Sequence, residues 1–198
     1  MITVVPANEA SWLDLDAVLA TAKCHGGKCY CQRYKLPGGR WRAVSDHERA
    51  DMLAAQTGCD DPGDRPTSGL VAYLDGEPVG WCAVEPRTAY PNLLKSRVPW
   101  TGRAEDKTDD SVWAVTCFVV RVGHRRRGIT GVLAAAAVEF ARERGAAALE
   151  AYAMITQPGQ DIAWGELHVG SVGTFADVGF VEVSRPSKRR VVMRVDFP

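Results

Sequence analysis

A basic, glycine-punctuated turn in the second half of the chain carries residue types that can hold an anion. It consists of Arg125, Arg126, Arg127, Gly128, Ile129, Thr130 and Gly131. Arginine supplies charge and paired donors for phosphate, and glycine lets the backbone approach an anion closely. The first N–H groups of a helix have no intrahelical partner, and the helix dipole adds partial positive charge there. The turn therefore predicts a phosphate site, and a diphosphate would suit it.

The elements on either side are those that would position such a turn. The apolar run Val112–Val120 predicts a buried strand, and the alanine-rich stretch after the turn predicts a helix that Gly145 stops. Apolar residues recur at helical spacing along one face of that helix, so we expect it to pack on a sheet. This face comprises Ile129, Val132, Leu133, Ala136 and Phe140.

Composition sets limits on the class of protein. The 198 residues are 46% hydrophobic and 24% charged, which is ordinary for a globular protein, and we expect one domain over residues 1–198. Lys plus Arg equals Asp plus Glu at 24 each, so no overall charge favours nucleic acid or an acidic membrane. The N-terminus does not resemble a secretory signal, and no apolar run approaches the ~20 residues that cross a bilayer. We therefore expect a cytoplasmic protein with reduced cysteines.

The remaining elements predict an α/β (α+β) fold with a mixed central sheet flanked by helices. A capping box from Ser45 to Glu48 starts a helix, and Ser11 or Asn8 caps an earlier one. The Asp75–Gly76 pair predicts a hairpin between two apolar runs. Further strands are predicted at 2–5, 147–154, 180–183 and 191–197, a short helix at 167–178, and long loops at 88–110 and 158–165.

The basic turn and its flanking elements resemble a known family. Val120, Arg125, Gly128 and Thr130 fit the pattern Val-x-x-x-x-Arg-x-x-Gly-x-small, which is similar to the acyl-CoA signature of the GNAT superfamily of N-acetyltransferases. The later segment 171–183, with its Gly-Phe pair, resembles the family's last helix and strand. The Gly-Trp hairpin at 76–87 and the N-terminal Cys-x-Cys segment are similar to one subgroup of that family.

The resemblance implies a ligand and its contacts. Acetyl-CoA is the implied cosubstrate, with its pantetheine arm on the backbone of Phe118, Val119 and Val120 and its diphosphate wrapped by residues 126–131. Arg125 takes the family's Gln/Arg position. The implied reaction is direct attack of an amine on the thioester, with an oxyanion held by the N–H of Phe118 or Val119.

The proton carriers do not follow from the resemblance. Phe175 stands where many family members place a tyrosine that protonates the leaving thiolate, and the strand Val112–Val120 contains no carboxylate. We take Glu85 as the candidate base and Tyr152 as the candidate acid. His124 and His168 titrate near neutrality when unperturbed, and water is an alternative proton acceptor.

A cysteine-rich segment allows three interpretations. Cys24, His25, Cys29 and Cys31 include good zinc ligands, but their spacing does not form a Cys-x-x-Cys knuckle. We favour apolar packing of Cys29 and Cys31 beside an acceptor pocket and assign no metal ligands. A catalytic thiol is a third interpretation.

The sequence thus predicts an acetyl-CoA-dependent N-acetyltransferase that acts on a primary amine, either a small molecule or a protein lysine. The alternatives are a CoA-binding regulatory module without turnover and a zinc-stabilised interaction protein. We expect no nucleic-acid or membrane partner, and a homodimer through the late strands or helices is an arrangement open to the chain.

Overall fold

The structure is a computed structural model that describes residues 1–24, 27–63, 66–157, 159 and 162–198. Within these residues a seven-stranded sheet has the order β1-β4-β5-β6-β7-β9-β8, and β2 and β3 form a separate small ribbon. Only β6 and β7 pair in parallel in the large sheet, so the predicted mixed sheet is confirmed. The strands are β1 (Ile2–Pro6), β2 (Lys23–Cys24), β3 (Gly27–Lys28), β4 (Gly69–Leu74), β5 (Glu77–Pro86), β6 (Val112–Val120), β7 (Ala148–Met154), β8 (Val181–Ser187) and β9 (Arg190–Asp196).

Helices cover both faces of the large sheet. They are α1 (Trp12–Leu19), α2 (Asp46–Thr57), α3 (Pro91–Lys95), α4 (Ile129–Glu143), α5 (Trp164–Leu167) and α6 (Val172–Ala176). One buried cluster joins α4 to one face, and a second joins α1 and α2 to the other. The expected α/β architecture with flanking helices is therefore present.

Local signals in the sequence account for several element boundaries. Ser11 caps α1 and Ser45 caps α2, where the reciprocal bond from Glu48 completes the capping box. Asp75 and Gly76 both have positive φ, which is the geometry of a two-residue hairpin turn with the right twist. The predicted hairpin and both caps are confirmed.

Three expectations need correction. The 88–110 stretch, predicted as loop, contains α3, which starts at Pro91. The single helix predicted over 167–178 is two helices, because Gly170 has φ +85° between α5 and α6; α5 also replaces the end of the loop predicted at 158–165. On α4, Val132 is exposed, since the buried face runs through Leu133, Ala137 and Ala141 instead.

Close approach of α4 to the sheet depends on one glycine. A Cβ built on Gly80 of β5 would lie 2.8 Å from Ile129 Cγ2 and 3.0 Å from Leu133 Cδ1. Both side chains are buried in α4, directly after the basic turn. The absence of a side chain at Gly80 therefore sets how near the turn lies to the sheet.

None of the helices in the described residues has the length and apolar character needed to cross a membrane.

We predict that Gly80→Val lowers the free energy of unfolding by about 1–3 kcal/mol, because the added carbons overlap Ile129 and Leu133. Urea unfolding followed by circular dichroism measures the change. Gly173→Ala is the matched control, since a Cβ added at that helical glycine would have nothing within 4 Å and the variant should be at least as stable as the wild type. Equal stability of the two variants would contradict the close-packing argument.

Candidate active site

The parallel strands β6 and β7, at the centre of the sheet, separate midway along their length. Their pairing runs from Val112 with Ala148 to Val115 with Ala151 and then stops. A register shift against β5 leaves Thr116 as an extra residue in β6 at the point where the strands separate. The parting leaves backbone groups of both strands facing a split.

Carbonyl groups of the segment between α5 and α6 occupy part of this split. The Phe118 N–H donates to the His168 carbonyl at 2.6 Å, and the Met154 N–H donates to the Gly170 carbonyl at 2.9 Å. The Arg121 N–H instead donates to Val79 of β5 at 2.9 Å. Because N–H direction alternates along a strand, Val119 directs its N–H towards β5, and Val120 directs its own towards the split.

Two adjoining cavities of about 300 Å³ and about 290 Å³ extend from the split to the basic turn. Together they form what we call the turn groove, and His168 lines the end nearest the split. Asp177, at the end of α6, adds a carboxylate to the groove lining. Of the residues predicted to bind the cosubstrate, those that line the groove are Phe118, Val120, Arg125, Arg126, Gly128, Ile129, Thr130 and Gly131.

The turn has the backbone geometry of an anion cradle. Arg126 and Gly128 have φ of +64° and +75°, and Gly128, the N-cap of α4, has no side chain that could bond the first N–H groups. The first turn of α4 carries no acidic residue, so its N–H groups and dipole remain available to an anion. Arg127 is exposed and outside the groove, and Val119 is buried with the α1 side of the core.

Comparison with known proteins identifies the family. A profile of the Acetyltransferase (GNAT) family matches residues 34–165, about two thirds of the chain. The chain belongs to this family. It is therefore an N-acetyltransferase, and acetyl-CoA is the acyl donor that the family uses.

Solved structures agree with this fold, while no curated protein matches the sequence. A crystal structure of an acetyltransferase is 21% identical, with 99% of this chain and 98% of that chain covered and a TM-score of 0.57. The ribosomal-protein-alanine N-acetyltransferase from Brucella melitensis is 19% identical, with coverage of 100% and 99% and a TM-score of 0.54. A putative acetyltransferase from Salmonella typhimurium, solved with its cofactor acetyl-CoA, is 14% identical, with coverage of 98% and 93% and a TM-score of 0.55.

In this acetyltransferase the candidate base Glu85 forms an ion pair. Its carboxylate lies 2.5 Å from the Lys35 ammonium, and both side chains are largely buried. The Lys35 ammonium also lies 4.7 Å from the ring centroid of Tyr90. Burial raises the pKa of Glu85, and the Lys35 charge opposes that shift. The group is thus more basic than an ordinary glutamate while remaining held by a cation.

The candidate acid Tyr152 lies on the face of the sheet opposite α4. Its ring is buried with Tyr90 and Leu93, and its hydroxyl donates to Glu150 Oε2 at 3.2 Å. Burial, reinforced by the Glu150 charge, holds the pKa of Tyr152 well above its ordinary value. The hydroxyl therefore stays protonated, and its hydrogen is directed at Glu150 rather than into the turn groove.

Glu150 is the centre of a buried ion network that sequence reasoning missed. Its fully buried carboxylate accepts hydrogen bonds from Arg87 at 3.4 Å, from Arg194 at 3.0 Å and from Arg103. Glu105 adds a second carboxylate to Arg87 and Arg103. The available signal was one glutamate within the otherwise apolar strand β7, since a buried charge requires partners. The network fastens the 87–110 segment to the sheet.

Phe175, at the position where many family members have a tyrosine, packs in the core. It is fully buried, and its ring centroid lies 5.8 Å from that of Phe118 and 5.0 Å from that of Phe180. The same rings leave no room beside Gly170, where a Cβ would lie 2.6 Å from the Phe175 ring. Phe175 thus supports the segment whose carbonyls bond the two parted strands.

The cysteine segment lies beside the split. Cys29 and Cys31 line a cavity of about 30 Å³ with Cys117, which follows the extra residue Thr116. No group of three His, Cys, Asp or Glu side chains in the described part of the chain is placed to hold a metal. His25, one of the four candidate zinc ligands, lies outside the described residues. Packing of Cys29 and Cys31 with the buried α1 cluster agrees with the apolar interpretation.

His168 carries a buried imidazole that lies between the small cavity at Cys29 and Cys31 and the turn groove. It lines both the 30 Å³ cavity and the turn groove. Burial, together with the charges of Arg33 and Arg190, lowers its pKa from 6.5 to about 4. The ring is therefore neutral at pH 7.

We predict a loss of stability in mild acid that depends on His168. Its folded pKa of about 4 lies below the ordinary 6.5, so protons bind the unfolded chain more tightly and stability falls as pH drops from 6.5 towards 4. His168→Gln should flatten this part of the profile in urea unfolding between pH 7 and pH 4.5. The exposed His47→Gln is the control and should keep the wild-type slope. Parallel profiles for all three proteins would show that the buried imidazole is not the group responsible.

Proposed function

We propose that this acetyltransferase binds acetyl-CoA in the turn groove and transfers the acetyl group directly to a primary amine. The observation that carries the proposal is the open groove joining the Arg126–Gly128 turn to the parted strands. Diphosphate would lie on the first turn of α4, with Arg125 and Arg126 supplying charge. Pantetheine would follow β6 towards Phe118.

The reaction needs only positioned backbone groups and proton transfer. The neutral amine nitrogen forms a bond to the thioester carbon, the carbon–sulfur bond breaks, and CoA leaves as the thiolate. One proton passes from the nitrogen to a base, and the thiolate takes up a proton. Val120 N–H supplies the hydrogen bond to the oxyanion, because it is directed towards the split; Phe118 N–H takes this role only where the His168 carbonyl has left it.

We further propose Glu85 as the proton acceptor and Tyr152 as the proton donor. A raised carboxyl pKa supports Glu85, since a stronger base removes the ammonium proton more readily. The position of Tyr152 supports the donor role, because it lies one residue beyond the last β6–β7 pair, whereas its raised pKa makes the hydroxyl a weaker acid than an ordinary tyrosine. Arg127 would contribute long-range positive charge, and Val119 would help to shape the strand β6. Neither would contact the cosubstrate.

Other parts of the proposal concern the chain as a whole. We propose a single domain over residues 1–198, membership of the subgroup with the Cys-x-Cys segment and Gly-Trp hairpin, and a cytoplasmic protein to which homodimer formation is open. The acceptor is a small-molecule amine or a protein lysine. Turnover separates this function from a CoA-binding regulatory module, and metal analysis of the untagged protein separates it from a zinc-stabilised interaction protein.

We predict that Arg126→Glu and Gly128→Glu abolish acetyl-CoA binding in isothermal titration. The first reverses a charge at the groove, and the second adds both a charge and a strained side chain at φ +75°. Arg127→Glu is the matched comparison: it makes the same change of charge outside the groove and should weaken binding much less. Equal losses for Arg126→Glu and Arg127→Glu would show that the diphosphate is not bound where we place it.

We predict that a screen of an amine library against the wild type detects acetyl-CoA-dependent release of CoA thiol.

We also predict that Glu85→Gln lowers kcat by about 10²–10⁴-fold, while acetyl-CoA binding measured by isothermal titration persists. Tyr152→Phe should lower kcat and leave the substrate KM similar. A stability loss without a change in kcat would assign both residues structural roles. Release of no thiol with any amine, despite tight acetyl-CoA binding, would favour the regulatory module.

A further inference from the structure

A second basic cavity opens on the acceptor side of the split. It has a volume of about 270 Å³ and lies where β7 leaves β6, with Tyr152 in its wall. Three cations, Arg33, Lys95 and Arg190, line it, and the other lining side chains are neutral. We call it the acceptor cavity.

Carbonyl groups rather than carboxylates hold the two guanidinium groups. Arg190 Nη1 donates to the Tyr152 carbonyl at 3.0 Å, and Arg33 Nη1 donates to the Gly165 carbonyl at 3.4 Å. Hydrogen bonds to neutral carbonyls fix the orientation of each guanidinium group without neutralising its positive charge. Neither arginine forms an ion pair with a carboxylate of the described residues, and nearby Glu166 is bound to Arg189 at 2.7 Å.

Other arginines on the same face of the sheet are paired with a carboxylate. Arg87 and Arg103, with Arg194, surround the buried Glu150, so those guanidinium groups have a carboxylate partner. Arg190 is half-buried without one, and burial together with the Arg33 charge lowers its pKa. The acceptor cavity therefore has an excess of positive charge that a bound anion would neutralise.

The acceptor cavity and the turn groove reach the split from opposite faces. Phe118, in the groove wall, belongs to the core cluster of α4, whereas Tyr152 packs with Leu93 on the other face. Arg33 lines both the acceptor cavity and the small cavity beside Thr116. His168 joins that small cavity to the groove. An acceptor held at Arg33 would therefore lie beside the small cavity that adjoins the split.

We propose that the acceptor is a small primary amine that carries an anionic group, a carboxylate or phosphate, which Arg190 and Arg33 bind in the acceptor cavity. The inference rests on the proposed acetyl transfer and narrows its substrate class. Arginine favours such oxygen pairs because its donors match them two at a time. Polyamines and lysine-rich peptides are disfavoured, because their charge repeats that of the cavity.

The first test compares amines that differ only in the anionic group. We expect 4-aminobutyrate to exceed 4-aminobutanamide, and 2-aminoethyl phosphate to exceed ethanolamine, at least tenfold in kcat/KM for one of the two pairs. Arg190→Gln should reduce that ratio towards one by raising KM for the anionic amine much more than KM for the neutral amine. Arg185→Gln, in an exposed pair with Glu182, is the control and should retain the ratio. Equal use of both members of each pair, or preference for spermidine, would overturn the proposal.

The second test does not need turnover. Isothermal titration of glutarate and of inorganic phosphate into the Arg126→Glu variant, in which anion binding at the turn is weakened, should show binding that Arg190→Gln removes. Lys95→Gln, at an exposed position, should weaken it and serves if Arg190→Gln does not fold. No binding of either anion, or binding that both substitutions leave unchanged, would overturn the acceptor cavity. Binding without turnover of any amine would instead remove the proposed transfer and leave the anion site standing.

Discussion

The parting of β6 and β7 is the constraint on which the rest of the structure depends. A sheet that opens within its core exposes N–H groups that have no strand partner, and each such group must find another acceptor. The carbonyls of His168 and Gly170 accept from Phe118 and Met154. This requirement fixes the path between α5 and α6, the positive φ of Gly170 and the packing of Phe175 against Phe118.

The same constraint bears on how an acyl donor would enter. A pantetheine arm laid along β6 meets a Phe118 N–H that already has the His168 carbonyl as its acceptor. Exchange of one acceptor for another changes the free energy little, because a hydrogen bond is lost as one is made. Displacement of His168 would also move the imidazole between the groove and the small cavity. A donor laid along β6 would therefore act on a residue that also lines the small cavity.

Local chemistry explains which features were predictable from sequence. The Val112–Val120 strand, the hairpin at Asp75 and the capping box at Ser45 each depend on neighbours within a few residues, and all are confirmed. The ion network around Glu150 joins residues 87, 103, 105, 150 and 194, and the acceptor cavity joins residues 33, 95, 152 and 190. Such contacts are decided by sheet order, which the periodicity of single segments does not contain.

Charge placement distinguishes the two sides of the split. The chain has no net charge, yet cations concentrate at the turn groove on one face and at the acceptor cavity on the other. At the turn the arginines lie next to the first N–H groups of α4, and this combination favours a diphosphate bound against the backbone. At the acceptor cavity Arg33 and Arg190 act as side chains alone, which suits a compact anion at the end of a small molecule. Two sites of like charge can therefore select different ligands, because one offers main-chain donors at a helix end and the other offers the side-chain cations Arg33, Arg190 and Lys95.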